Sequence, residues 1–110
     1  SGERLPPMSR FGTVKVAGVS MAPTYKDGAW LLVRWFTNSP ERNFSEGLIG
    51  KIFVIEKRER PGIFLVKRLK KVEDHKFWVE GDNQSSTDSR QWGWIYTDEL
   101  VGQVIFAIKK

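Results

Sequence analysis

The stretch IFLVKRLKKV at residues 63–72 predicts a long β-strand, because branched and aromatic side chains recur along it and a Pro-Gly turn precedes it. In such a strand one face carries the side chains of Ile63, Leu65, Lys67 and Leu69. Lys67 is therefore placed among three large aliphatic side chains. A lysine is seldom buried without a specific role, since burial disfavours the ammonium and lowers its pKa. This pattern indicates an amine that can accept a proton.

Two other arrangements of the strand stay open on this pattern alone. The lysine stem could pack on the apolar face while its ammonium reaches water. A shift of the strand by one residue would instead turn Phe64, Val66 and Arg68 inward. Both are ordinary outcomes, so other parts of the chain must decide between them.

The remaining sequence is also dominated by short β-strands. Apolar runs predict strands at residues 13–16, 30–36, 51–55, 77–79 and 101–108, with loops at 38–43 and 81–90 and a hairpin turn at 73–76. Only residues 97–100 suggest a turn of helix. Short strands at this spacing predict an all-β domain, built as a compact and mostly antiparallel barrel or sandwich. We expect one domain over residues 1–110, with residues 1–10 as a flexible lead-in.

The composition excludes several kinds of site. The 110 residues include no cysteine, which excludes a thiol nucleophile, thiolate metal ligands and disulfides. A single histidine, His75, excludes a multi-histidine metal centre, and we expect neither a metal nor a cofactor. No apolar run approaches the roughly 20 residues of a membrane-spanning helix, and no signal-peptide pattern opens the chain. The net charge of +5 fits weak attraction to nucleic acid or anionic lipid, and it is also common in ordinary domains.

A second segment, GVSMAPT at residues 18–24, places Ser20 on a bend between a glycine and a proline. A serine hydroxyl is a weak nucleophile unless a base takes its proton and N–H donors stabilise the oxyanion that forms. Gly18 allows a substrate to approach the backbone closely, and Pro23 fixes the chain direction after the serine. Backbone N–H groups around Ser20 could then form an oxyanion hole. Because most serines in such turns are only turn residues, this interpretation depends on a partner such as Lys67.

The other polar groups favour Lys67 as that partner. His75 lies in a charged turn and is expected to be solvated rather than catalytic, which argues against a Ser-His-Asp triad. Residues 81–90 form either a simple surface loop or a loop whose serine hydroxyl orients the lysine amine. Within it, Asp88 and Arg90 could pair and make the loop rigid.

Taken in this order, the segments resemble the signal peptidase I family of Ser-Lys serine peptidases. The nucleophile motif of that family, Ser-Met-x-Pro-Thr, is similar to residues 20–24, and its lysine motif is similar to residues 66–68. Its last motif, Gly-Asp-Asn followed by Ser-x-Asp-Ser-Arg, is similar to residues 81–83 and 86–90. The resemblance extends from Val14 to about Val104, which is nearly the whole chain.

The resemblance implies a role for each matching residue. Ser20 would be the acylating nucleophile and Lys67 the general base, with Ser86 orienting the lysine amine. The loop would be supported by Asp82, Asp88 and Arg90. Met21 would line the substrate cleft, and Gly18 stands where some members carry a serine that donates to the oxyanion, so backbone N–H groups would form the oxyanion hole.

The implied function is removal of an N-terminal leader or signal peptide from a precursor protein that binds in extended form and is cut after a small residue. Family members usually carry a membrane anchor. The strings FWVEGDN at residues 77–83 and LVGQV at residues 100–104 are similar to a compact soluble branch, which trims precursors of nickel-type superoxide dismutase. Two locations therefore stay open. The domain either belongs to the extracytoplasmic side of a membrane and has lost its anchor, or it is soluble and cytoplasmic.

Two alternative functions are retained. Self-cleaving domains of stress-response repressors also use a Ser-Lys dyad, but Ala17-Gly18 lies too close to Ser20 to fold back onto it, which favours cleavage of a separate protein. A basic β-barrel that binds single-stranded nucleic acid would stack bases on Trp30, Trp35, Phe36, Trp92 and Trp94. No aromatic-glycine RNA-binding motif is present, so no nucleic acid partner is expected. The pair Trp92 and Trp94 also suggests contact with a membrane surface.

Overall fold

A computed structural model of the chain describes residues 9–36 and 46–109. Seven strands are present, namely β1 (Ser9–Lys15), β2 (Trp30–Phe36), β3 (Ile52–Ile55), β4 (Leu65–Glu73), β5 (Lys76–Glu80), β6 (Ile95–Tyr96) and β7 (Leu100–Lys109). They form one antiparallel sheet in the order β1-β2-β7-β3-β4-β5-β6. A four-residue helix, α1 (Ser89–Trp92), and the 3-10 turns Glu46–Leu48 and Thr97–Glu99 complete the described elements.

The all-β, antiparallel prediction is confirmed. Among the described residues β6 pairs only with β5 and β1 only with β2, so the sheet stays open and does not close into a barrel. With only two residues, β6 is too short to show an alternating pattern, and sequence analysis missed it. The turn predicted near residues 97–100 is present as Thr97–Glu99.

The predicted lead-in and the predicted polar loop have other bounds in the structure. Ser9 and Arg10 belong to β1, where they pair with Phe36 and Trp35, so the flexible lead-in predicted for residues 1–10 does not include them. The rest of that lead-in, and the loop predicted at residues 38–43, lie outside the described residues. The polar loop predicted to run to Arg90 ends two residues earlier, because Asp88 caps the first turn of α1, which begins at Ser89.

Strand β3 lies at the centre of the molecule and is buried on both faces. Ile52 and Val54 belong to one hydrophobic cluster, whereas Phe53 and Ile55 belong to a second cluster. Since successive side chains of a strand point to opposite faces, the two clusters cover the two sides of β3. Four consecutive apolar residues are the expected sequence for such a strand.

The indole ring of Trp35 lies against two glycines of the strands on either side, Gly12 in β1 and Gly102 in β7. A Cβ atom on Gly12 would lie 2.6 Å from Trp35 Nε1, and one on Gly102 would lie 3.2 Å from its Cε3. Both strands therefore need glycine at these positions for the ring to fit. The Trp35 ring meets the Phe64 ring edge-on, with 5.5 Å between centroids, and so links β2 to the segment that leads into β4.

Candidate active site

Ser20 and Lys67 line the same cleft. The cleft has a volume of about 520 Å³ and lies between the end of β1 and the start of β4, with aliphatic walls that include Val14, Val54 and Leu65. Within the described part of the chain, no hydrogen bond joins Ser20 Oγ to Lys67 Nζ. Such bonds are often long in a free peptidase and shorten only in the substrate complex.

Ser20 lies in a turn within the segment of residues 16–29 that joins β1 to β2. Val16 N donates to Ala29 O over 2.7 Å and so extends the pairing of these strands, and Tyr25 N donates to Met21 O over 3.0 Å within the turn. The Met21 side chain is fully buried in the core, while Ser20 next to it is half-buried. Burial of the methionine therefore holds the serine in a fixed position at the cleft wall.

The backbone N–H groups of this turn differ in whether they donate a hydrogen bond to another part of the protein. Gly18 has a φ of +90°, a conformation that favours glycine, and its N–H donates to Asp27 Oδ1 over 2.9 Å. Gly18 does not line the cleft, although Met21 does. In residues 9–36 and 46–109 the N–H groups of Ser20 and Met21 have no protein acceptor. Met21 is fully buried, whereas Ser20 is only half-buried, so the Ser20 N–H is the one of these donors that a substrate oxyanion can reach from the cleft.

Lys67 lies in β4 opposite Phe53, in the register predicted for a buried lysine. Its exposure is 3%, and its Nζ donates to Ser86 Oγ over 2.8 Å. Ile63, expected on the same face, precedes the strand and is half exposed. Burial lowers the pKa of the Lys67 amine, an effect that Asp88 opposes and Arg90 reinforces.

Ser86 connects the amine to a buried carboxylate. Asp88 is fully buried, and hydrogen bonds reach it from Gly81 N at 2.7 Å, from Arg90 Nε at 2.9 Å and from Arg90 Nη2 at 2.7 Å. Burial alone would raise the pKa of Asp88, but the bonds from Arg90, Gly81 and the Ser86 hydroxyl together hold that pKa well below its usual range. The Ser86 hydroxyl thus accepts from Lys67 and donates to Asp88, so its orientation is fixed.

The loop that carries Ser86 also contacts the nucleophile turn directly. Asn83 N donates to Ser20 O over 2.9 Å. A Cβ atom on Gly81 would lie 2.5 Å from that same carbonyl oxygen and would also collide with the Ser86 hydroxyl. Only glycine at position 81 therefore allows Ser20 and Ser86 to approach each other this closely.

Asp82 joins the turn of Ser20 to the strand of Lys67. It accepts from Thr24 Oγ1 over 2.5 Å and from Arg68 Nε and Nη2 over 2.8 and 2.7 Å. The Arg68 bond chiefly accounts for the lowered pKa of Asp82, and the Thr24 bond adds to it. No role was predicted for Thr24 or Arg68, although both lie inside the motifs at residues 20–24 and 66–68.

Replacing Asp88 by asparagine is expected to lower the free energy of unfolding at pH 7 by roughly 2 to 3 kcal/mol, because the fully buried carboxylate loses the charge that its N–H donors stabilise. A lowered carboxyl pKa stabilises the folded protein above the unfolded value of about 3.9, and this contribution is lost as the pH falls toward the folded value. In urea unfolding, the wild type and Asp88→Asn should therefore differ less at pH 3 than at pH 7. Asp98→Asn, in the exposed pair with Arg58, is the control, and an equal loss there would contradict the prediction.

Most aromatic side chains that sequence analysis suggested for stacking are engaged inside the protein. Trp92 is half-buried with Lys57 Nζ 5.0 Å from its ring centre, and Trp94 meets Trp78 edge-on at 5.3 Å. Of the five suggested aromatics only Trp30 is exposed.

His75 is exposed in the β4–β5 turn with a φ of +65°, and it does not line the cleft that contains Ser20 and Lys67. No helix in the described ranges is long and apolar enough to cross a membrane, and no group of three metal-ligating side chains occurs there.

Comparison with known proteins gives one family. The family described as "Peptidase S24-like" matches residues 6–105, a span that contains Ser20, Lys67 and the whole loop at residues 81–90. No curated protein matches the chain.

Proposed function

Since the chain belongs to the Peptidase S24-like family, we propose that it is a serine endopeptidase that cuts a separate precursor protein, with Ser20 as nucleophile and Lys67 as general base. The family match supports the wider group of Ser-Lys peptidases that the sequence resembled. It does not distinguish leader peptidases from self-cleaving domains. The proposal rests chiefly on one observation: a half-buried serine and a buried lysine with a lowered pKa line the same cleft.

The reaction that we assign to Ser20 and Lys67 needs no other catalytic group. Ser20 Oγ attacks the substrate carbonyl carbon while the neutral Lys67 amine takes the hydroxyl proton. The N–H group of Ser20 donates to the oxyanion. The C–N bond then breaks, and the lysine ammonium gives its proton to the leaving amine. Water, deprotonated by the same amine, cleaves the ester and frees Ser20.

Strand edges beside the cleft that are unpaired within residues 9–36 and 46–109 support an extended substrate. Strand β1 is at one edge of the sheet, and residues 65–67 of β4 precede Arg68, the first residue that pairs with β5. Both edges therefore present backbone groups next to cleft-lining residues, as needed for a peptide that binds as an added strand. A preference for a small residue before the cut, and removal of a leader or signal peptide, follow from the resemblance to signal peptidases.

Self-cleavage is the second candidate, because the family match is compatible with it as well. Strand β1 runs from Ser9 to the cleft, which it reaches at Val14. An upstream site would have to turn back along this strand for about 17 Å, at roughly 3.4 Å per residue. Cleavage in trans needs no such reversal, and for this reason we place it first.

Peptides with Ala-x-Ala sites should be cut after the second alanine by the purified chain, and mass spectrometry of the products gives the position. Self-cleavage would instead shorten the protein's own chain at a rate independent of its concentration, with no cut peptide. If neither product forms, with or without detergent and with a folded precursor as well as peptides, the proposal fails and the fold serves binding instead.

A further inference from the structure

One face of strands β1, β2 and β7 carries exposed apolar side chains. Phe11, Trp30 and Phe106 are 63%, 39% and 54% exposed. Thr13 lies opposite Leu32, which in turn lies opposite Phe106, and paired residues have their side chains on one side of a sheet. Phe11 and Trp30 are two residues from Thr13 and Leu32 along their strands, so they share that side. We call Phe11, Trp30, Leu32 and Phe106 the outer apolar face.

Two irregularities in the pairing of β7 expose further apolar side chains next to Phe106 in the strand. The pairing of β2 with β7 skips Ile105 and Ile108, which are 42% and 52% exposed. The end of β7 thus presents Ile105, Phe106 and Ile108 to solvent within four positions. Single exposed apolar residues are normal on a protein surface, but a contiguous patch that spans three strands marks a binding surface.

The charges in these strands are all of one sign. Strands β1, β2 and β7 contain Arg10, Lys15, Arg34 and Lys109, and they contain no aspartate or glutamate. Lys15 is paired with Trp30, and its Nζ lies 5.9 Å from the centre of the indole ring. Arg34 is paired with Phe11, so it belongs to the same face. Apolar rings are therefore interleaved with cations and with no anion.

We propose that the outer apolar face binds the surface of an anionic lipid bilayer. Aromatic and aliphatic side chains enter the boundary between headgroups and acyl chains, and neighbouring cations meet the lipid phosphates. The aliphatic Ile105 and Ile108 fit acyl chains, whereas they offer nothing to a stacked nucleic acid base. Lys15 belongs both to this side of the sheet and to the cleft lining, so bound lipid would lie beside the cleft. This binding does not depend on the proposed peptidase chemistry.

The test is flotation of the full 110-residue chain with vesicles of phosphatidylcholine alone or with 30% phosphatidylglycerol, in low salt. We expect at least tenfold more bound protein on the anionic vesicles, less in 0.5 M salt, and a loss of roughly tenfold or more for Phe11→Ser with Phe106→Ser. Ile49→Ser, which removes an exposed apolar side chain outside these strands, is the matched control and should bind as the wild type does. Circular dichroism shows that each variant is folded.

Three results would overturn this proposal. The first is no binding to anionic vesicles at low salt. The second is equal binding by the double variant and the wild type. The third is a dimer in sedimentation that the double variant dissociates, because the face would then be covered by a second copy of the chain. Peptide cleavage is measured separately, so its failure cannot be mistaken for failure of lipid binding.

Discussion

Ser20→Ala should remove peptide cleavage while the protein stays folded. Loss of a nucleophile costs about 10⁴-fold or more in kcat for other serine peptidases, because no other group can form the acyl intermediate. The serine hydroxyl makes no hydrogen bond within the described residues, and its side chain is only half-buried. Its removal should therefore change the free energy of unfolding by no more than about 0.5 kcal/mol. Cleavage rates and urea unfolding of the same preparations measure both quantities.

The matched control is Ser85→Ala, in the loop that contacts the nucleophile turn. Ser85 is exposed, and its hydroxyl donates only to Asn83 Oδ1 over 2.7 Å. Its replacement should leave kcat/KM within a factor of three of the wild-type value. That result would show that the loss of a nearby hydroxyl does not by itself remove cleavage. Equal activity of Ser20→Ala and Ser85→Ala would eliminate Ser20 as the nucleophile. A Ser20→Ala variant that unfolds much more easily than the wild type would contradict the structural part of the prediction.

The sequence predicted most of what lies within single strands. The alternation in residues 63–72 places Lys67 on the buried face of β4, and the four apolar residues of β3 give a strand covered on both sides. These results follow from the two-residue period of a strand, which acts over a few neighbouring positions. The limit of this rule is visible at Ile63, which continues the pattern but lies outside β4, where pairing with β3 has not yet begun.

The contacts between segments far apart in the chain could not be predicted in this way. The bonds from Thr24 and Arg68 to Asp82 cross 58 and 14 residues of sequence, and no local period records which carboxylate meets which donor. The same holds for Gly81, whose importance comes from the close approach of Ser20 O rather than from its own turn. Motif order indicated that these segments belong together, but the geometry that joins them appears only in the folded chain.

The exposure of individual aromatic side chains also could not be predicted from sequence patterns. Trp92 and Trp94 suggested contact with a membrane surface, which stays a prediction; in the structure both are half-buried and make ring or cation contacts. Phe106 lies in the strand predicted at residues 101–108. It is exposed because a shift in pairing between β2 and β7 changes the side of the sheet to which its side chain points. A one-residue shift of this kind reverses a side chain without altering the hydrophobic pattern.

Lys67→Met should also remove cleavage, and it should raise the free energy of unfolding near neutral pH. Methionine has a similar length but cannot take the proton of Ser20, so the rate should fall by about 10²- to 10⁴-fold. Burial lowers the pKa of the amine, which means that the folded protein disfavours the ammonium relative to the unfolded chain. Methionine removes that cost. Lys67→Arg should be inactive as well but less stable, because a guanidinium cannot lose its charge at this 3% exposed position.

The pH dependence gives the sharper test of Lys67. Between its lowered folded pKa and the unfolded value of about 10.4, the unfolded chain holds one proton more than the folded protein. The free energy of unfolding of the wild type should therefore rise with pH across this interval, and this rise should be absent in Lys67→Met. Wild-type kcat/KM should increase with pH through the same folded pKa, since only the neutral amine acts as a base. Lys70→Met, at an exposed position of β4, should keep both dependences. Identical stability slopes for Lys67→Met and the wild type would mean that the amine is not deprotonated in the fold, and the general base would then have to be another group.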